Sequence, residues 1–354
     1  MKKFSASLLI LCVALCACVN AGEQSNQSTP EKPAQEKPQT KRATIDPNKF
    51  ALVIAGVGGE ESYTKKFTAQ AMQLYDTLTN KLGFDEKQVY LLTENVVSAA
   101  ENVAQGNFAR ATAEETRKAF AAIKAASKPE GLVFICLIGH GSAEAENPKF
   151  NLVGPDINAK EYAKLIGDLP TRRNIFVNTT SSSGDFIKPL SAENRIVLTA
   201  TRSGNEQNAT YFAEPFIKAL TESAADTDKS GRISILEAFN FATKVTQDWY
   251  KQKTRLATEH ALIDDNGDGT GHEQAGDGDG AIAKTTYLDS KSVEEAANDV
   301  EVIRLLEIKQ QLEVDIEKLK ARKPEMQVEE YETELERLLV ELAKTNRQIK
   351  ARKK

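Results

Sequence analysis

Between Phe50 and Gly204 five short apolar runs recur: FALVIAG, QVYLLTE, GLVFICLIG, RRNIFVNTT and NRIVLTA. Among them lie stretches with apolar residues at helical spacing: SYTKKFTAQAMQLYDTLTNKLG, which stops at Gly83, a natural helix end, then TAEETRKAFAAIKAAS and NAKEYAKLIGDLP, with YFAEPFIKALTESA closing the unit. Strands that alternate with helices predict an α/β fold, a sheet with crossover helices. Open parallel sheets bind ligands beyond the carboxyl ends of their strands. The chemistry is therefore expected in the loops that follow these runs.

Two of those loops hold reactive side chains. GLVFICLIGHGS ends at His140-Gly141, and NIFVNTTSSSGDF turns abruptly from an apolar run ending at Val177 into hydroxyl residues and glycine. The chain has only three histidines, at 140, 260 and 272, so a histidine-dependent mechanism has few possible bases. His140 follows a strand, precedes a glycine and comes before Ser181, whereas His260 and His272 flank an Asp-rich loop. Taken alone, TTSSSG reads equally as a strand-to-helix connection whose hydroxyls cap backbone N–H groups. Cys136 lies inside LVFICLIG and reads as a buried, small apolar residue. The Gly-x-Ser-x-Gly elbow is missing around Ser181, AGVGGEES lacks the third glycine of a dinucleotide fingerprint, and no Walker loop is present.

A strand ending in His-Gly, followed by a strand ending in Ser181-Ser182-Ser183-Gly184 and then NRIVLTATRSGNEQN, resembles the legumain (asparaginyl endopeptidase) family of the caspase-like fold over roughly residues 50 to 265. The resemblance implies a caspase-like (caspase-haemoglobinase) sheet flanked by helices and a motif Cys-x-Ser-Gly at the nucleophile. It implies His140 as the base, the residue at 181 as the nucleophile, and the N–H groups of Gly141 and Ser181 as oxyanion donors. The sequence departs from that pattern at the nucleophile, which is Ser181. A thiol near pKa 8.5 becomes a thiolate beside an imidazolium, whereas a hydroxyl needs a positioned base, commonly a histidine oriented by a third group. Asp156 and Asp185 are near in the chain, but spacing assigns neither to that role. Three readings stay open: a working serine nucleophile, the remnant of a lost cysteine enzyme, and a binding fold with a vacant cleft.

Residues 226–237, DTDKSGRISILE, fit a twelve-residue EF-hand loop. Asp226, Asp228 and Glu237 supply carboxylates, Ser230 a hydroxyl, Arg232 its backbone carbonyl, and Gly231 the sharp turn. A structural Ca²⁺ is expected there. The competing reading is a solvated turn leading into a Ser234–Glu237 capping box. A second loop beginning at Asp264 repeats the first half of the pattern, with Ala275 where the closing glutamate belongs, and reads as an incomplete site or an acidic turn.

The ends of the chain differ from this body. Residues 1–17 begin MKKFSASLLILCVALCA and read as an export signal, with Leu15-Cys16-Ala17-Cys18 resembling a lipobox and Cys18 as the lipidated residue; cleavage after Val19-Asn20-Ala21 is the alternative. Residues 18–49 have the composition of a flexible tether. The domain is expected over 50–265, an acidic Gly-rich loop over 266–290, and a coiled-coil-like antiparallel helical hairpin over 291–354. In that hairpin Val302, Leu305, Leu312, Ile316 and Leu319 form one seam, with Lys309 at one seam position, and Tyr331, Leu335, Leu338, Leu342 and Ile349 resume it after Pro324. With the leader removed and Cys18 carrying lipid, Cys136 is the one cysteine left with a free thiol, so an internal disulfide is not expected. The formal net charge of −5 argues against a nucleic-acid partner. The expectation is an exported, membrane-tethered peptidase-like protein acting on a peptide or protein. The alternative is a calcium-stabilised binding module that assembles through its tail.

Overall fold

The computed structural model describes residues 42–96, 107–144, 147–276, 278–296 and 299–352. In chain order they form β1 (Lys49–Ala55), α1 (Glu61–Asn80), β2 (Val89–Thr93), β3 (Asn107–Arg110), α2 (Ala113–Ala126), β4 (Leu132–Ile138), β5 (Gly141–Glu144), β6 (Asn147–Phe150), β7 (Ile157–Asn158), α3 (Ala159–Gly167) and β8 (Arg173–Asn178). There follow α4 (Ile187–Leu190), β9 (Arg195–Thr199), α5 (Ala213–Ala219), α6 (Ile235–Gln252), β10 (Leu262–Asp264), α7 (Ala281–Lys284), α8 (Lys291–Ala296), α9 (Val300–Ala321) and α10 (Val328–Arg352).

The main sheet runs β10-β9-β8-β4-β1-β2-β3, parallel throughout except for the edge strand β10. Its central strands are apolar on both faces because both are covered. Ala51, Val53 and Ala55 of β1 face α1, α5 and α6 through Phe67, Leu74, Phe216 and Phe239. Phe50, Leu52 and Ile54 face α2 and α3 through Phe120, Ile123, Tyr162 and Ile166. The expected mixed α/β sheet flanked by helices is thus the architecture. Thr112 caps α2 by accepting from Glu115 N–H, and Asn158 caps α3 by accepting from Glu161 N–H. Gly83, at a φ of 73°, ends α1 as its position suggested.

The five apolar runs are β1, β2, β4, β8 and β9. Three further pieces are too short or too polar to announce themselves: the edge strand β3, the small antiparallel sheet β5-β6-β7 that follows His140, and β10. The segment after residue 265 is also more than a loop. Ile282, Ala283 and Leu288 join the main core, and the Lys49 ammonium donates to the carbonyls of Leu82, Leu288 and Asp289.

The tail folds into the antiparallel hairpin. Leu312, Ile316 and Leu319 of α9 meet Tyr331 and Leu338 of α10, and Val302 and Leu305 meet Ile349 at the other end. Lys309 tolerates its seam position by reaching Glu313 (3.7 Å). Unlike a self-contained hairpin, α9 also docks on the domain: Val314 is fully buried in the main core, and Gln310 donates to the Thr285 carbonyl. Among the described residues no helix is long and apolar enough to cross a membrane.

Candidate active site

His140 and Ser181 stand at the tips of neighbouring strands. β4 and β8 pair with Leu137 beside Asn178, and Thr179 N–H extends the ladder by donating to the Leu137 carbonyl (2.9 Å). The two segments meet through Gly141, whose N–H donates to Ser181 Oγ (3.2 Å) while the Ser181 hydroxyl donates to the Gly141 carbonyl (3.3 Å). A Cβ at position 141 would lie 2.4 Å from the Ser181 carbonyl oxygen, so the approach requires glycine. Ser181 itself is only 2% exposed.

The His140 imidazole is half-buried against α1, with the rings of Tyr63 and Phe67 edge-on at 4.9 and 5.0 Å between centroids. Burial disfavours the imidazolium and lowers the pKa below the ordinary histidine value; the Gly58 backbone opposes the shift and Lys66 adds to it. Burial therefore favours the neutral ring, the form that can accept a proton. Among the described residues no hydrogen bond joins it to Ser181, whose hydroxyl is taken by Gly141. Neither nearby aspartate bonds to it. Asp156 accepts Leu152 N–H (2.9 Å) in the turn before β7, and Asp185 lies against Gly204.

The other serines of the run are structural. Ser182 holds a positive φ of 55°, donates its N–H to the Glu206 carbonyl (2.8 Å) and its hydroxyl to the Gly204 carbonyl (3.0 Å). Ser183 Oγ accepts from the N–H groups of Ala200 and Thr201, each at 3.1 Å, tying the tip of β8 to that of β9. The polar-turn reading thus fits Ser182 and Ser183, and Ser181 is the hydroxyl turned toward Gly141.

One group beside the turn was not legible from spacing. His260 Nδ1 lies 2.5 Å from Glu206 Oε1, and Glu206 Oε2 accepts from the N–H groups of His260 (3.1 Å) and Arg202 (2.9 Å). Because the Glu206 carbonyl holds Ser182, this pair braces the turn. The signal that locates it is the antiparallel register of β10, with Leu262 beside Thr199, which brings residue 260 to the tip of β9. Cys136 is fully buried and its thiol is pushed far up by that burial, which leaves it chemically inert. Cys18, the leader and most of the tether lie outside the described residues.

In the EF-hand-like loop, one carboxylate oxygen from each of Asp226, Asp228 and Glu237 lies within 4.8 Å of the others. Gly231 turns the chain at a φ of 78°. Ser230 N–H donates to Asp226 (3.0 Å) and Asp228 (2.9 Å). The Arg232 side chain swings outward to Asp289 (2.8 Å) over the Tyr287 ring, while its carbonyl stays at the loop, 3.2 Å from the Ser230 hydroxyl that donates to it. Glu237 also completes the capping box with Ser234, so both sequence readings coexist. The three converging carboxylates have no Lys or Arg within ion-pair distance among the described residues, and hard oxygen donors of this kind fit Ca²⁺.

The second acidic loop is wired differently. Asp264 accepts from Gly267 and Gly269 N–H (3.2 and 3.1 Å), and Asp265 from Gly280 and Ala283 N–H (both 2.7 Å), where it caps α7. Asp279 accepts from Asp265 N–H (2.9 Å) and meets His272 Nδ1 at 2.6 Å. These carboxylates anchor backbone, and Ala275 adds no ligand. Burial pushes the Asp279 carboxyl up to about 6, with the His272 contact opposing the shift. Between about pH 4 and 6 the native state therefore holds this proton more tightly than the unfolded chain, and the stability contributed by Asp279 falls as pH rises through that window. Asp279→Asn is expected to remove this part of the pH dependence, measured as a flatter plot of Tm against pH by circular dichroism.

Residues 98–260 match the model of the Peptidase C13 family. A search of curated proteins found no match. Among solved structures, the Geobacter sulfurreducens protein GSU0716 is similar at a TM-score of 0.40 and 11% identity, over 62% of this chain and 93% of that one. The matched segment spans both strand tips, with His140 and Ser181.

Proposed function

We propose that this chain is a peptidase-family protein, exported and held at a membrane by lipid on Cys18, whose His140/Ser181 cleft receives peptide segments and cleaves them slowly or not at all. One observation supports this above the rest: the Ser181 hydroxyl is satisfied as donor and as acceptor by the Gly141 backbone. Serine becomes a nucleophile when a base takes its proton during attack, and here that proton rests on a carbonyl. The Gly141 N–H that would polarise a scissile carbonyl is engaged by the same hydroxyl. The test is a diverse peptide library offered to the wild type, Ser181→Ala and His140→Ala. The expected result is retained peptide binding, with wild-type cleavage no faster than that of Ser181→Ala.

A second reading, a serine endopeptidase, draws on the neutral imidazole at the adjoining strand tip, because catalytic contacts can tighten when substrate binds. Cleavage by the wild type that disappears in both alanine variants establishes it.

Asp226, Asp228, Ser230, the Arg232 carbonyl and Glu237 are the ligands proposed for a structural Ca²⁺. An ion that binds only the native state stabilises it by about 2.7 kcal/mol at a hundredfold excess over Kd. Calcium is expected to raise Tm, EDTA to reverse the rise, and Asp228→Ala to abolish it. Unchanged melting and no heat on titration remove calcium from the picture. A coiled-coil partner bound through 291–354 is left the outward side of α10, where Leu339 and Val340 are exposed.

A further inference from the structure

The chain between α6 and β10 runs KTRLATEH from Lys253 to His260. It returns to the end of the sheet at which β8 and β9 finish, because β10 starts with Leu262 beside Thr199, the last residue of β9. Leu256, within this loop, is 90% exposed, the most open of the large apolar side chains among the described residues. The loop around it is ordered. Arg255 N–H donates to the Tyr250 carbonyl (3.0 Å), and the Tyr250 hydroxyl meets Thr258 Oγ1 (3.0 Å) and Glu259 Oε1 (3.1 Å). Thr254 turns the chain at a φ of 52°, a strained value for a β-branched residue, two positions before Leu256.

Aromatic surface and cations flank this leucine. The Arg255 guanidinium lies over the Trp249 ring, 6.0 Å from its centroid, and Trp249 stacks on Tyr211 at 4.8 Å. Both rings are partly exposed, and Lys251, Lys253 and Arg255 are fully so. Lys253 and Arg255 meet no carboxylate among the described residues, and Lys251 reaches Asp248 only at 3.8 Å. Two further acidic groups face Tyr211. Glu214 is exposed one turn on in α5, and the Glu259 carboxylate is buried, taken by the N–H groups of Tyr211 and Phe212. Tyr211 also follows Thr210, whose hydroxyl donates to the Thr179 carbonyl two residues before Ser181.

Tryptophan and tyrosine settle at the headgroup level of bilayers, aliphatic side chains enter the boundary below, and unpaired lysines and arginines are drawn to anionic lipid. A protein partner calls instead for a larger contiguous apolar area. We infer that Leu256, Trp249 and Tyr211, with Lys251, Lys253 and Arg255, contact the surface of an anionic phospholipid bilayer, the leucine in the acyl boundary and the three cations on lipid phosphates. Contact through this patch turns the strand-tip end of the sheet, with Ser181, toward the membrane, so the peptide segments nearest the cleft are those close to the bilayer. It depends neither on lipid at Cys18 nor on any chemistry at Ser181.

Trp249 is the only tryptophan of the chain, so its fluorescence reports the contact directly. The test mixes the chain from Val19 onward, which lacks the leader and the lipidation site, with phosphatidylcholine vesicles made with and without phosphatidylglycerol. The expected result is sedimentation with the anionic vesicles, weakened by salt, with Trp249 emission shifted to the blue and quenched by brominated lipid. Leu256→Asp and Lys253→Glu/Arg255→Glu are each expected to weaken partition about tenfold or more. Both should retain the circular dichroism melt, because these side chains are exposed. Partition that survives both variants, equal partition onto neutral vesicles, or sedimentation without a change in Trp249 emission overturns the assignment. No partition overturns it as well, and a blue shift caused by a mixed peptide library but not by vesicles gives the patch to a peptide instead.

Discussion

Ser181→Cys is expected to turn a nearly silent cleft into a measurable peptidase, with turnover rising about a hundredfold or more over the wild type. The reason is acidity. A hydroxyl must lose its proton during attack, whereas a thiol near pKa 8.5 can lose it beforehand when an imidazolium lies alongside. Sulfur is also a poorer hydrogen-bond partner than oxygen, so the pair of contacts that ties the side chain to Gly141 weakens, and the Gly141 N–H is released toward a substrate carbonyl. His140 supplies the counter-charge from the adjoining strand tip, and its lowered pKa limits the thiolate fraction at neutral pH. Activity in the variant should therefore depend on pH through this imidazole. Fluorogenic peptide cleavage and the rate of alkylation by iodoacetamide measure the two aspects separately. A thiol that alkylates no faster in Ser181→Cys than in Ser181→Cys/His140→Ala shows that the imidazole does not reach it.

Gly184→Ala is expected to be the most damaging small substitution near the site, costing about 3 kcal/mol. The new Cβ would sit 2.1 Å from the Arg202 carbonyl carbon and 2.3 Å from Ser203 N, both backbone atoms with no flexible end to yield. Overpacking of this kind typically costs about 1–3 kcal/mol. Relief requires the tips of β8 and β9 to part, and with them go the bonds from Ala200 and Thr201 N–H to Ser183 Oγ, each worth about 1 kcal/mol. For a domain of this size the melting temperature should fall by roughly 6–12 °C. Gly167→Ala is the control: at the end of α3 the nearest foreign atom to its new Cβ is 3.9 Å away, in the Arg195 guanidinium, so little change or a slight gain is expected. Equal melting of the two variants removes the steric argument.

These two glycine positions show what a sequence can and cannot disclose. The apolar runs of the central strands identify themselves, because a strand covered on both faces must be apolar throughout. The placement of His140 and Ser181 at adjoining tips follows from the order of those runs. The short edge strands are different: Leu262 to Asp264 is too brief to carry a pattern, and its pairing beside β9 is what delivers His260 to Glu206. The acidic loop misleads for a related reason. Asp264, Asp265 and Asp279 have the composition of a cation site, but Asp264 and Asp265 accept N–H groups of glycines and of α7, Asp279 accepts Asp265 N–H and meets His272, and no spacing rule records where backbone amides will point. For Ser182 and Ser183, likewise, a run of like residues conceals three separate tasks until the fold separates them.

Val314 has a consequence for how the protein can be dissected. A shortened version ending before Val300 would forfeit a fully buried side chain from the floor beneath the sheet, together with the Gln310 bond to Thr285. The helical appendage is therefore a load-sharing buttress, and a trimmed enzyme-sized fragment should be softer than the parent before any question of catalysis is asked.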